Sequence, residues 1–177
     1  MYKATPKPKK FVKYLGETQI IEIIERAKKD NRRNYLILLT LWRTGIRCSE
    51  LCNLKKRDIK ENHLTIRQGK GNKDRIVPID SHTLDLLSYH TANMSLDEKI
   101  FPLSSAQVRN IVHRYQGNQY CKPHTFRHSY AVHCLKKGMN IRSLQKILGH
   151  TDLNTTAIYL DLLADDIIED YQKVEWN

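Results

Sequence analysis

Six polar side chains stand at spacings that chemistry can use. In "PHTFRHSYAVH", His124 and Arg127 are three residues apart, which places them on one face of a helix. An imidazole and a guanidinium presented together make an anion grip, because both can donate toward one phosphate. In "TGIRCSEL", Arg47 follows a helix-ending glycine and precedes a helix start, with Glu50 placed to hold its guanidinium. In "GKGNKDRIVPI", Lys70 falls near a hairpin tip, from which an ammonium can reach into a bound ligand's groove. Lys73 is an equally basic neighbour that spacing does not exclude. In "ILGHTDLNTTAIYL", His150 lies in a turn between two helices, and Tyr159 sits about two turns into the second. Each feature also has an ordinary reading: a polar surface helix, a structural ion pair, a solvated lysine. For the last stretch the ordinary reading is a helix-turn-helix DNA reader, with residues 152–160 as recognition helix and a packing tyrosine.

The elements that must position these residues follow from periodicity. Apolar residues from Thr18 to Lys29 suit an amphipathic helix, and Arg32 to Thr44 a more apolar, central one. Gly45 ends the latter as a C-terminal cap. A short helix is expected from Ser49 to Leu54. The period then changes: "HLTIRQ" and "RIVPI" are short and alternating, and "GKGNK" between them supplies residues that accept positive φ, so a β-hairpin is predicted. Helical patterns resume at about 81–90, 105–115, 124–137, 141–148, 152–160 and 164–174, with Gly138 and Gly149 as punctuation. Thr151 can cap the 152–160 helix. No internal repeat or second domain is visible. The sum is a mixed fold, mainly α with a small antiparallel β-sheet.

Charge narrows the partner. The 177 residues carry a formal +11, and all of it lies in the first half: residues 1–80 hold 20 Lys/Arg against 9 Asp/Glu, while residues 81–177 hold 10 against 10. A basic body with an acidic tail points to a polyanion, with nucleic acid first. At 40% hydrophobic and 28% charged the chain reads as soluble and globular. It lacks the run of about 18 apolar residues that a membrane helix needs, and no apolar h-region follows its basic N-terminus. Cys48, Cys52, Cys121 and Cys134 do not have zinc-ribbon spacing and read as reduced structural thiols. Carboxylates near the candidate residues are scattered, which disfavours a metal nuclease.

The local strings occur in one order: Arg47 in "TGIRCSEL", Lys70 in "GKGNKDRIVPI", then "HTFRH", "LGH", and Tyr159 in "TTAIYL". In this order they resemble the catalytic domain of the tyrosine recombinase (phage integrase) family, over about Thr18 to Val174. The resemblance implies an integrase-like catalytic fold, related to that of type IB topoisomerases. It implies site-specific breakage and rejoining of double-stranded DNA through a 3′-phosphotyrosyl intermediate, without metal, ATP or other cofactor. By position, Arg47 and Arg127 resemble the two catalytic arginines, His124 the histidine of the HxxR box and His150 that of the LGH box. Lys70 matches the general acid and Tyr159 the nucleophile. The ordinary reading, a helix-turn-helix binder without strand exchange, stands beside this one.

Elementary chemistry agrees with those roles. A free tyrosine has a pKa near 10, so at pH 7 about one in a thousand is phenolate, a deficit of roughly 4 kcal/mol. The phosphodiester is anionic and repels the attacker. Two arginines answer both problems, and a lysine can protonate the leaving 5′-oxygen.

The family usually carries a further N-terminal helical domain, and here only about 16 residues precede the match. Residues 1–16 are expected to form a flexible basic arm that partly replaces that clamp through phosphate contacts, with residues 17–177 as the catalytic domain. A C-terminal helix at about 162–174 is expected to dock on its own domain or on a neighbouring protomer in a tetrameric synapse. An intracellular, nucleoid-associated protein with no membrane contact is the matching expectation.

Overall fold

The computed structural model describes residues 13–67 and 74–149, so Lys70, His150, Tyr159, most of the arm and the C-terminal tail lie outside the described residues. Seven helices and one two-stranded sheet occupy the described part. They are α1 (Glu17–Asp30), α2 (Arg32–Thr44), α3 (Cys48–Asn53), β1 (His63–Ile66), β2 (Arg75–Pro78), α4 (Ser81–His90), α5 (Ser105–Tyr115), α6 (Pro123–Lys136) and α7 (Ile141–Leu148). The expected mixed, mainly helical class with a small antiparallel sheet is what the chain adopts. Six helix boundaries shift by a residue. α1 extends one residue further at each end than expected, and α3 and α6 each begin and end one residue early, with Pro123 as the first residue of α6. A 3₁₀ turn over Lys56–Asp58 has no clear sequence signal.

Helix α2 is the centre. Its N-cap Asn31 accepts from the Asn34 amide, and ten of its thirteen residues are buried. Helices α1, α4 and α6 pack around it. α1 contributes the stripe Ile20, Ile23, Ile24 and Ala27, at the spacing of one helix face. α2 stops because Gly45 adopts φ 61°, and the Tyr130 ring of α6 lies where a side chain at Gly45 would project. The left-handed turn and the close approach both require glycine.

The two strands pair antiparallel with Leu64 opposite Val77, both fully buried, and Ile66 opposite Arg75. Residues alternate across a strand, so Arg75 points to the same face as buried Val77. α7 starts at Asn140, whose side chain accepts from the Arg142 amide, and anchors through Leu144 and Leu148. It ends at Gly149, again left-handed with φ 63°. The short helix α7 packs against both α6 and β2, so its C-terminal end meets the hairpin.

Candidate active site

Arg127 projects from a helix buried on most sides, and its side chain is 2% exposed. Its guanidinium donates to Gly45 O at 2.8 Å and to Leu148 O at 2.6 Å. These carbonyls close the C-terminal ends of α2 and α7, where helix dipoles favour a cation. The charge is therefore solvated by backbone. Three elements meet on it, and an aliphatic residue there would leave two buried carbonyls without donors.

Arg47 leaves the turn between α2 and α3. Its Nη1 donates to Glu50 Oε1 at 2.8 Å, its backbone amide to Glu50 Oε2 at 2.7 Å, and its Nη2 to Gly149 O at 3.1 Å. The predicted Glu50–Arg47 pair is present, but Glu50 has a second partner. Arg75 donates through Nη1 and Nη2 to both Glu50 oxygens, at 2.8 and 2.7 Å, and through Nε to Ile147 O at 2.7 Å. Four donors thus saturate one carboxylate. Burial raises the Glu50 pKa, but the hydrogen bonds from Arg75 and Arg47 and the Arg75 charge outweigh it and hold the carboxyl at about 2. Glu50 remains ionised throughout the useful pH range.

His124 lies in the first turn of α6 and is exposed, with its ring edge-on to His128 at 4.2 Å between centroids. Desolvation, then the charges of Arg127 and Arg47, lower its pKa below the ordinary 6.5. The imidazole is neutral near pH 7 and protonates more readily once an anion offsets the two guanidinium charges. An open cavity of about 270 Å³ has Arg47, Arg109, His124 and Arg127 on its walls, with Cys48 and Ser105 between them. A larger one of about 760 Å³ lies on the other side of Arg47. There most cations are already paired, Lys55 and Arg57 with Asp97 and Arg67 with Asp58 at 2.6 Å, and the acids Glu50 and Asp58 are on the walls. The smaller cavity is the better anion site, because four cationic or protonatable groups face it and, among the described residues, none on its walls is an acid.

Of the six expected residues, Arg47, His124 and Arg127 are brought to one cavity, the first from the α2–α3 turn and the other two from α6. The expectation that His124 and Arg127 act from one helix face needs a refinement, since one is exposed and the other is almost completely buried. Lys70, His150 and Tyr159 lie outside the described residues. All four cysteines are free thiols, three of them buried. Among the described residues no group of His, Cys, Asp and Glu could hold a metal ion, and no helix is long and apolar enough to cross a membrane. Sequence reasoning missed Arg75. The available signal was its alternation with Val77: an arginine on the buried face of a strand must find a partner.

Comparison with known proteins identifies the family and the fold. The sequence model described as the phage integrase family matches residues 13–165. The tyrosine recombinase XerA of Pyrococcus furiosus is 38% identical over 176 residues, covering 92% of this chain and 62% of the relative. A tyrosine recombinase of Pseudothermotoga lettingae is 35% identical over 173 residues, covering 91% and 60%. The chain thus spans under two thirds of these relatives. A crystal structure of XerA recombinase superposes with a TM-score of 0.77 at 29% identity, covering 98% of this chain and 68% of that one. The catalytic domain of bacteriophage HP1 integrase matches with a TM-score of 0.70 at 24% identity, covering 90% and 94%, which shows a shared fold.

Proposed function

Since the chain belongs to the phage integrase family, we propose that it is a site-specific recombinase that breaks and rejoins strands of duplex DNA. The observation that carries this reading is the convergence of Arg47, His124 and Arg127 on one cavity whose walls, among the described residues, hold no acid. A phosphodiester seated there receives hydrogen bonds from fixed donors. Tyr159 is the nucleophile: its oxygen bonds to phosphorus as the bond from phosphorus to the 5′-oxygen breaks. Lys70 gives that oxygen its proton, so the products are a 3′-phosphotyrosyl link and a 5′-hydroxyl. A 5′-hydroxyl from another strand then reverses the step, so the bond energy is retained and no nucleotide is consumed. Arg47 and Arg127 stabilise charge on the phosphoryl oxygens, the kind of contact whose loss typically slows a reaction by about 10²–10³. His124 and His150 hold the phosphate or move protons. Covalent catalysis of this kind needs no activated water.

The naming of relatives at 35–38% identity as tyrosine recombinases supports the reading. Residues 17–177 form the catalytic domain, and the basic arm, residues 1–16, adds phosphate contacts. Self-association on DNA as a tetrameric synapse belongs to the same proposal, as does a place in the cytoplasm on the nucleoid. Residues 162–174, which lie outside the described residues, are the candidate contact between protomers.

A duplex selected by the chain from a random pool, then nicked so that the cleaved fragment diffuses away, traps the adduct. The unsubstituted chain should form a covalent protein–DNA species, with or without chelator. Tyr159→Phe should bind the same duplex and form none. Adduct persisting in Tyr159→Phe removes the nucleophile assignment. Selection and binding with no adduct in the unsubstituted chain would instead make it a DNA-binding module.

A further inference from the structure

Three arginines from three elements donate to three successive carbonyls at the end of α7. Arg75 takes Ile147 O at 2.7 Å, Arg127 takes Leu148 O at 2.6 Å, and Arg47 takes Gly149 O at 3.1 Å. Two of these arginines line the candidate site. The third, Arg75, does not, yet its side chain is only 11% exposed and its fork is fully engaged with Glu50. Glu50 in turn holds Arg47 at two points. Arg75 also lies across Gly149: a Cβ there would meet Arg75 Cδ at 3.0 Å and Nε at 3.1 Å.

We propose that Arg75 is a positioning residue for the candidate site, acting through Glu50 to fix the Arg47 guanidinium and through Ile147 to fix the end of α7 against it. The inference rests on the reading of that site as one for phosphodiester cleavage. Two features of the geometry argue for it over simple stability. A carboxylate held only by Arg47 can swing with it, whereas one clamped in the plane of a second guanidinium cannot, because the bidentate fork sets its orientation. The clamp also spans the hairpin, the α2–α3 turn and α7, whose relative placement decides where the Arg47 donors point. Gly149 is then required twice, for its positive φ and for the room it leaves Arg75. Lysine cannot substitute, since a single ammonium does not reproduce the planar fork and the third bond to Ile147.

The test uses the full chain and the nicked duplex above, with the reacting phosphate either native or replaced by an uncharged methylphosphonate. The methyl group removes the charge that Arg47 is placed to meet. Arg75→Gln should slow adduct formation on the native diester by about 10–100-fold, the usual effect of losing an orienting partner. On the methylphosphonate the loss should be under about threefold. The ratio of the two rates is internal to each protein, so a partly unfolded preparation does not alter it. Arg75→Lys should behave as Arg75→Gln, and Gly149→Ala should reproduce the defect without adding to it. Equal slowing on both substrates, or full rescue by lysine, overturns the proposal. An unsubstituted chain that forms no adduct overturns the reading of the site, and the inference with it; an Arg75→Gln rate equal to that of an active unsubstituted chain overturns the inference alone.

Discussion

Glu50 is the residue on which the site's electrostatics turn. Its carboxyl is held at about 2 against an ordinary 4.5, so the folded chain refuses a proton that the unfolded chain accepts below pH 4.5. The stability this supplies is complete above pH 4.5 and is lost as pH falls toward 2. Glu50→Gln should therefore flatten the acid limb of stability against pH between about 4.5 and 2, read from urea midpoints at each pH; an unchanged limb would show that other carboxylates govern it. The Arg47–Glu50 pair was legible locally, because i,i+3 spacing at a helix start brings the two together whatever else the chain does. Arg75 was not, because its partners lie 25 residues away at Glu50 and 72 away at Ile147. No local pattern encodes such a distance.

At the level of elements, the site is an assembly of helix ends. α2, α7 and the start of α6 bring their termini to one place, and Arg127 joins the carbonyls of the first two. Gly45 sets the angle at which α2 stops beneath Tyr130. Gly45→Ala must pay for a positive φ and displace an aromatic ring, for a total of about 2–4 kcal/mol. Urea unfolding should show that loss, together with a rise in Arg47 mobility by ¹⁵N relaxation; a loss below about 1 kcal/mol would mean the ring moves freely. Helix boundaries and both glycine caps were readable from sequence, since capping chemistry is local. The burial of Arg127 was not. A helix wheel places it beside His124, and only the packing of α2 and α7 against α6 puts one inside and the other at the surface.

At the scale of the molecule, the +11 charge carried by the first 80 residues is a long-range field for a polyanion. Within the described residues much of it is neutralised locally, as Lys55, Arg57 and Arg67 are by Asp97 and Asp58. The unpaired donors for DNA are expected elsewhere, including the four lysines of residues 1–12. Deleting those residues leaves Lys13 over the Tyr120 ring at 4.5 Å. The slope of log K for DNA against log salt should then flatten by up to about 3.6, at about 0.9 for each of the four lysines. An identical slope would mean that the arm makes no phosphate contacts.

Sequence alone proposed the chemistry of this protein. Residue types and their order are local facts, and the family resemblance they carry makes Arg47, Lys70, His124, Arg127, His150 and Tyr159 the candidates without coordinates. Tertiary structure decided how the arginines are held: which one is buried, which carbonyl each takes, and that Arg75 stands behind Arg47. Those are long-range contacts between helix ends and a strand, and their geometry exists only once α2, α6, α7 and the hairpin are packed together.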